Sequence, residues 1–275
     1  MKWPIILVTG SGDEATAVAV RLFRSGFKVI LIVHNKPVDL HYHRNFTRCI
    51  FSGTGQVEGV PAITFSLALQ QDAVSTPPKL TDFISFALAN RQVPIILLDE
   101  LKRGQLIEAQ YIIKLDDEIF NRLKSHLPDE IKVIGVKPEP GVDFWIGRQG
   151  KILGQVQYPF LEERKENNLS KFRRPMAQEI EAPLEGVFVA SKGIGERVFE
   201  REEIGKLNEI PILSPYHGVI SGLINSGALV KPHTPLAEVT TGLQGADPRR
   251  LPVEAFALAG GVLEAILYDW KERIT

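Results

Sequence analysis

A pattern repeated at a fixed offset of 32 residues constrains the C-terminal third of this chain more than any other feature. Between residues 183 and 239, seven positions recur in one register without a gap, and they combine turn-forming Gly and Pro with apolar residues. The repeat predicts two copies of one small β unit that close on each other. The pairs are Pro183 and Pro215, Gly186 and Gly218, Val187 and Val219, Gly195 and Gly227, Val198 and Val230, Ile204 and Leu236, and Leu207 and Val239.

The N-terminal half follows a different pattern, in which short apolar runs alternate with helical stretches. The apolar run 5–8 is followed by a glycine-rich turn, a helix-spaced pattern that ends at Gly26, and a second run at 29–33. Continuous apolar runs are typical of strands covered on both faces, and strand, turn, helix and strand form the first unit of a doubly wound parallel sheet. Further strands are predicted at 94–98, 111–113 and 132–136, and a further helix at 81–90.

These patterns predict an α/β protein with two domains. Residues 1–158 are expected to form a Rossmann-like, doubly wound domain that binds a nucleotide or cofactor, and the charged residues 159–179 a linker. Residues 180–275 are expected to form a β-rich barrel-sandwich hybrid of the biotinyl and lipoyl type with a C-terminal helix. Gly260 and Gly261 interrupt that helix at a cost of roughly 1 kcal/mol each. Close helix packing and backbone contact with a ligand both remain open as the reason.

Charge and cysteine content exclude several classes of protein. The formal net charge is −1, so no global basic field attracts nucleic acid or an acidic membrane. Cys49 is the only cysteine, which excludes an intramolecular disulfide. The first apolar run is too short for a signal peptide or a membrane span, and the sequence predicts a cytoplasmic protein. His41 and His43 have no evident third ligand, so no metal site is expected.

The first glycine-rich turn carries the chemistry of the predicted N-terminal domain. Gly10, Gly12 and Ala15 fit the pattern G-x-G-x-x-G/A, in which the glycines permit a tight turn and the approach of a pyrophosphate. Main-chain amides at the start of the helix also favour an anion. A second interpretation remains open, in which the turn is structural and Asp13 caps the helix in the place of the anion.

The residues after the second strand differ from those of an ordinary dinucleotide site. No carboxylate stands before Asp39, where a ribose-binding Asp or Glu is expected. His34 and Asn35 can bond a hydroxyl group instead, or they are simply solvated at the end of the strand. Arg44 follows on the loop after this strand, on the side where doubly wound sheets bind ligands, and can help to hold an anion.

The repeat module lacks the attachment site of a covalent carrier domain. Such a domain needs a lysine at the tip of the hairpin that joins its halves, beside Met, Asp or Ala. Lys206 lies near that place but lacks these neighbours. We therefore expect neither covalent biotin nor covalent lipoate, and interpret the module as a binding or interface domain.

Four segments together resemble the YqeB-like family, accessory proteins of selenium-dependent molybdenum hydroxylase systems. The family is similar in role to maturation factors of xanthine dehydrogenase. The resemblance implies a maturation protein that handles a molybdopterin-type cofactor or a nucleotide and has a molybdenum hydroxylase as its partner. The four segments are 10–16 with Arg21-Leu22 and Gly26-Phe27, then 57–60, 141–143 and 260–266. The predicted cofactor-binding residues are Gly10, Ser11, Gly12, Asp13, Ala15, Thr16, His34, Asn35 and Arg44.

Several polar positions depart from the family pattern and indicate a divergent member. Ile32-Val33 stand in place of a Thr-Glu step, His41-Tyr42 in place of paired arginines, 137–140 in place of a Gly-Pro-Gly-rich loop, and 149–151 in place of an Arg-Gly-His step. The fold is expected to be kept, and whether the protein catalyses a reaction stays open. Two other functions remain as alternatives: an NAD(P)-dependent oxidoreductase, and a non-catalytic scaffold that docks on a partner enzyme. The small-molecule ligand is expected to carry a phosphate group.

Overall fold

A computed structural model describes residues 3–35, 38–66, 79–102, 107–158, 177–241 and 247–274. The chain is a mixed α/β protein that divides into two compact units. Unit 1 comprises Met1–Pro37, Arg48–Lys171 and Pro252–Thr275, and unit 2 comprises Val38–Thr47 and Phe172–Leu251. The α/β class, the large parallel sheet and the C-terminal helix agree with the sequence prediction.

Unit 1 is built on one large sheet. Its core strands are continuously buried, as expected of apolar runs covered on both faces. The strands are β1 (Ile5–Thr9), β2 (Lys28–Val33), β3 (Thr54–Val57), β4 (Val60–Thr64), β5 (Val93–Leu97), β6 (Tyr111–Lys114), β7 (Lys132–Gly135), β8 (Phe144–Ile146) and β9 (Val156–Gln157). The described strands follow the order β3-β4-β5-β2-β1-β6-β7-β8-β9. Pairing is parallel from β4 to β8, and the pairs β3-β4 and β8-β9 at the edges are antiparallel.

The helices of this part of the chain are α1 (Gly12–Arg24), α2 (Thr47–Ser52), α3 (Leu80–Ala89), α4 (Asp117–Leu123) and α5 (Val253–Ile274). The C-terminal helix α5 packs against α1, and Arg21 Nη2 donates a hydrogen bond to the carbonyl of Phe256 at 3.3 Å. Close packing explains why glycine is needed at position 261, because a Cβ there would lie 2.4 Å from the carbonyl oxygen of Gly154. Helix packing therefore accounts for Gly261, whereas nothing lies within 4 Å of a Cβ at Gly260.

Unit 2 consists of two antiparallel sheets around a shared apolar core. Its strands are β10 (Ala177–Glu181), β11 (Gly186–Ala190), β12 (Arg197–Val198), β13 (Glu203–Leu207), β14 (Ile210–Leu213), β15 (Gly218–Leu223), β16 (Ala228–Val230) and β17 (Pro235–Thr240). One sheet has the order β10-β17-β15-β12 and the other β14-β13-β11-β16. An offset of 32 residues maps each of the first four strands onto one of the second four, and it maps one sheet order onto the other.

Hydrogen bonds of the turns follow the same relation. Gly195 N donates to the carbonyl of Ile220 at 2.8 Å, and its counterpart Gly227 N donates to that of Phe188 at 2.7 Å. The two glycines have φ angles of 85° and 86°, in the left-handed region that favours glycine. The predicted repeat is thus present as two copies with equivalent strands and turns.

The division into units differs from the predicted domain limits in three places. Residues 38–47 belong to unit 2, although they were predicted within the N-terminal domain. The helix α5 belongs to unit 1, although it was predicted to extend the repeat module. Strand β10 starts at Ala177, inside the predicted linker, and the rest of that linker, 159–176, lies outside the described residues. None of the helices described is long and apolar enough to cross a membrane.

Cys49 is fully buried, and this burial raises the pKa of its thiol to about 11 against a smaller opposing effect of Arg48. Because the thiolate is the reactive form, we expect iodoacetamide to modify the native protein at least about 100-fold more slowly than the urea-unfolded protein. Mass spectrometry over a time course at pH 8 measures both rates. Similar rates in the two states would contradict the burial of this side chain.

Candidate functional site

The glycine-rich turn lies at the carboxyl end of β1, which is hydrogen-bonded to β2 on one side and to β6 on the other. Ligands of open parallel sheets bind where successive strands lie on opposite sides of the first strand, and this is such a place. Gly10 and Gly12 have φ angles of 111° and 83°, so the turn requires glycine at both positions. The backbone conformation agrees with the predicted tight turn.

Gly10 shapes the turn rather than offering a free amide. Its N–H donates to the carbonyl of Ile32 at 3.0 Å, and is therefore not available to a ligand. A Cβ at Gly10 would lie 3.5 Å from Cβ of Asp116, in ordinary contact. An anion at this turn would therefore have to use the amides at the start of α1.

The N-cap residue of α1 is Ser11, which has an extended backbone and makes no capping hydrogen bond with its side chain. Asp13 lies in the first turn and does not occupy the cap position. The other acidic residue of this turn, Glu14, forms an ion pair with Arg148 over 2.8 Å between Oε1 and Nε. The first turn thus has a guanidinium group close to it, and Arg148 carried no signal in the sequence.

Ala15 and Thr16 point into the protein, since each is 1% exposed. Both were predicted as cofactor-binding residues. Their burial fits the part of the glycine pattern in which a small third residue lets the helix pack on the strand. We therefore assign them to the support of the turn.

His34, at the end of β2, forms a pair with Asp116, which follows β6. The distance between His34 Nε2 and Asp116 Oδ2 is 3.0 Å, and both side chains are about one-third exposed. The other carboxylate oxygen, Oδ1, accepts a hydrogen bond from the N–H of Ile119 at 2.8 Å and so caps α4. The imidazole is thereby held by a fixed carboxylate, and a histidine held in this way can bond a ligand oxygen or transfer a proton.

The buried side chain of Thr9 fixes the backbone below this pair. Its hydroxyl donates to the carbonyl of Ile113 at 3.1 Å and accepts from the N–H of Leu115 at 3.2 Å. The loop that carries Asp116 is thus tied to the end of β1, next to Gly10. The Thr9 hydroxyl accounts for the position of a carboxylate that lies more than 100 residues further along the chain.

Asn35 contacts Asp99, which lies in the turn after β5. The side-chain amide of Asn35 donates to the carboxylate of Asp99, and the N–H of Asp99 donates to Asn35 Oδ1 at 3.1 Å. Asp99 also forms an ion pair with Arg122 at 2.9 Å. A carboxylate therefore stands near the end of β2, although the sequence has none at the expected spacing.

Arg44 lies in unit 2, where Nη1 donates to the carbonyl of Pro248 at 3.3 Å. His43 Nε2 lies 2.9 Å from the same carbonyl. Arg44 is for this reason not counted among the residues of the turn in unit 1. Across the described part of the chain, no group of three or more His, Cys, Asp and Glu side chains is arranged to hold a metal ion.

The fold and this turn define a class: α/β proteins with a glycine-rich turn after the first strand of a mostly parallel sheet. Comparison of the sequence with curated proteins then finds a relative. The chain is 26% identical over 276 aligned positions to the uncharacterized protein YqeB of Escherichia coli, and the match covers 96% of this chain and 47% of that protein. This similarity supports the prediction from the sequence motifs that the chain is a divergent YqeB-like protein. It spans about half the length of this relative.

No family model matches the chain. Among solved structures, an aspartoacylase family protein from Mesorhizobium loti is 11% identical, with 88% of this chain and 86% of that chain covered and a TM-score of 0.27. A similarity at that TM-score says nothing about a shared fold or activity.

Proposed function

We propose that unit 1 binds a cofactor or nucleotide that carries a phosphate group, at the start of α1. The main support is that the first turn of α1 has no side-chain cap. This turn follows β1, whose neighbours in the sheet are β2 on one side and β6 on the other. Main-chain N–H groups of this turn and the helix dipole attract an anion. Arg148, which is ion-paired with Glu14, brings a guanidinium group beside the same turn.

Two side-chain pairs would select the rest of the ligand. His34 is oriented by Asp116 and can bond a hydroxyl or phosphate oxygen next to the turn. Asn35 and Asp99 offer an amide and a carboxylate at the end of the neighbouring strand. A ligand with a phosphate group joined to a hydroxylated ring matches this set of groups.

The resemblance to the YqeB-like family supports a more specific proposal. On that basis the ligand is a molybdopterin-type cofactor or its nucleotide form, and the protein is an accessory factor in the maturation of a molybdenum hydroxylase. The relative is about twice as long as this chain, so the proposal concerns only the part of the relative that this chain matches. Hydride transfer is not required for this role.

We also propose a specific fold type for each of the two units. A central β1 with β2 and β6 on opposite sides, and a helix directly after the glycine turn, supports a Rossmann-like, doubly wound unit 1. Two four-stranded sheets related by the 32-residue repeat support a barrel-sandwich hybrid for unit 2.

One observation favours an NAD(P)-dependent oxidoreductase as the second candidate. Asp99 brings a carboxylate beside Asn35, close to where a ribose-binding carboxylate is expected. Binding of NAD(P) with a change in nicotinamide absorbance over a substrate panel would support this candidate over the maturation role.

Titration calorimetry and thermal shift with molybdopterin nucleotides, NAD(P) and simple nucleotides test the ligand. For any ligand that binds, Arg148→Gln should weaken affinity about 10-fold or more, because it removes one charge-assisted interaction with the phosphate. Arg24→Gln is the matched control, since it makes the same change at the opposite end of α1 and should leave affinity unchanged.

Three outcomes separate the possibilities. A molybdopterin nucleotide that binds and depends on Arg148 supports the maturation proposal. NAD(P) binding with the same dependence keeps the site and changes the ligand class. If none of these compounds binds, or if the two arginine variants behave alike, the proposed phosphate site is wrong.

A further inference from the structure

The two sheets of unit 2 have equivalent outer faces that differ in what covers them. On the sheet that contains β11, three apolar side chains point outward: Val187, Val189 and Leu229 are 41%, 54% and 66% exposed. Lys206 lies on the same face, directly opposite Val189 in the register of β13 and β11. We call these four residues the open face. Apolar side chains exposed side by side are typical of interaction sites.

The equivalent face of the other sheet is covered by the chain itself, through residues 38–47. The carbonyl of Leu40 accepts a hydrogen bond from the N–H of Leu223 at 2.7 Å, and the Leu40 side chain packs on the core of unit 2. His41 Nε2 lies 3.5 Å from Glu238 Oε1, and the hydroxyl of Ser221 donates to the same oxygen at 2.6 Å. We call this the covered face.

The covering segment has a built-in conformation. Asp39 accepts hydrogen bonds from the N–H of His41 at 2.8 Å and from the side-chain amide of Asn45 at 2.8 Å. Asn45 also accepts from the N–H of Thr47 at 2.9 Å. A short stretch of chain with its own hydrogen bonds therefore covers this face around Ser221 and Glu238.

The repeat relates the two faces position by position. Ser221 corresponds to Val189, and Glu238 corresponds to Lys206, at the same offset of 32 residues. A hydroxyl is thus replaced by an apolar side chain, and the negative charge is replaced by a positive one. Among the residues described, Lys206 forms no ion pair, whereas Glu238 is paired with His41.

We propose that the open face binds a short segment of a partner protein that places an Asp or Glu side chain against Lys206 and apolar side chains over Val187, Val189 and Leu229. The covered face provides the precedent for such a segment, and the reversed charge at Lys206 specifies its acidic residue. The N–H of Ser191, at the place of Leu223, donates to the carbonyl of Ile204 at 3.0 Å. Because this N–H already has a partner within the sheet, we expect side chains, and not a backbone hydrogen bond to Ser191, to hold the bound segment there.

Synthetic peptides derived from the covering segment test the proposal. The probe is a fluorescein-labelled peptide of residues 38–47 in which His41 is replaced by Glu, and the control peptide keeps His41. Fluorescence anisotropy with the full chain at low salt measures binding. The Glu peptide should bind at least about 10-fold more tightly than the control peptide, and more weakly at high salt.

Protein variants connect the binding to the open face. Lys206→Glu should reverse the preference so that the His41 peptide binds more tightly, and Val189→Asp should weaken both peptides at least about 10-fold. Lys28→Glu, an equally drastic charge change in unit 1, should leave the preference unchanged, and circular dichroism confirms that each variant is folded.

The proposal fails if the Glu peptide does not bind at millimolar concentration, or if Lys206→Glu leaves its affinity unaltered. It also fails if sedimentation shows a dimer that Val189→Asp dissociates, because a second copy of the chain would then occupy the face. These outcomes do not depend on the ligand of unit 1, so they are distinguishable from a failure of the proposed phosphate site.

Discussion

Replacing Gly261 with alanine is expected to lower the free energy of unfolding of unit 1 by about 2–3 kcal/mol. The added Cβ would lie 2.4 Å from the carbonyl oxygen of Gly154 and 2.7 Å from Cγ2 of Ile146, and the first of these atoms belongs to the backbone. Helix α5 would have to move away from the turn between β8 and β9. The gain in helix propensity of roughly 1 kcal/mol offsets only part of this cost.

The neighbouring glycine is the matched control. Nothing lies within 4 Å of a Cβ at Gly260, so Gly260→Ala should raise the free energy of unfolding by about 1 kcal/mol through helix propensity alone. Trp3, Trp145 and Trp270 all belong to unit 1, so urea titration followed by tryptophan fluorescence measures the unit concerned. If both variants shift stability in the same direction, the close approach of α5 to Gly154 is wrong.

Unit 2 is expected to lose about 3 kcal/mol of stability between pH 4.5 and pH 2, because of one carboxylate. The hydrogen bond from His41, supported by Ser221, lowers the pKa of Glu238 from its ordinary value of 4.5 to about 2, against the effect of burial. A carboxylate whose pKa is lower in the folded state stabilises the protein fully above its unfolded pKa. That contribution disappears as the pH falls toward the folded pKa.

Hydrogen exchange of the β15 and β17 amides at a series of pH values follows this loss in unit 2. Glu238→Gln should start from lower stability at pH 7 and show a flatter acid dependence, since glutamine does not titrate in this range. Glu254→Gln, at the start of α5 in unit 1, is the control and should leave the acid dependence of unit 2 unchanged. An acid dependence that is the same in wild type and Glu238→Gln would rule out this assignment.

Features set by short stretches of sequence were predictable. Apolar runs gave the inner strands of the sheet to within one or two residues, as for β1 and β2. The glycine spacing gave the turn at Gly10 and Gly12, because the positive φ angles of these two residues favour glycine. The 32-residue repeat gave equivalent strands, since equivalent sequences in one chain meet equivalent surroundings.

Features that depend on strand order were not predictable in the same way. His34 and Asp116 are 82 residues apart, and they meet only because β2 and β6 flank β1. The pair Asn35 and Asp99 likewise requires β5 to lie beside β2. Residues 38–47 lie close in sequence to β2 but fold with unit 2, and local sequence carries no signal for that choice.

The two helix glycines illustrate the same limit at a single site. Gly260 and Gly261 are adjacent and have the same intrinsic cost in a helix. One faces the backbone of Gly154 and the other faces open space. Only the packing partner of α5 separates a required glycine from a replaceable one.

Neither half of unit 2 can complete a sheet alone, because each sheet takes two strands from each copy of the repeat. One sheet combines β10 and β12 with β15 and β17, and the other combines β11 and β13 with β14 and β16. An interlocked dimer of two half-length chains would pair its strands in the same way. Cleavage of the short link at Asn208-Glu209 should accordingly leave each half of unit 2 unfolded when the two fragments are apart, and unit 2 should regain its structure when they are mixed.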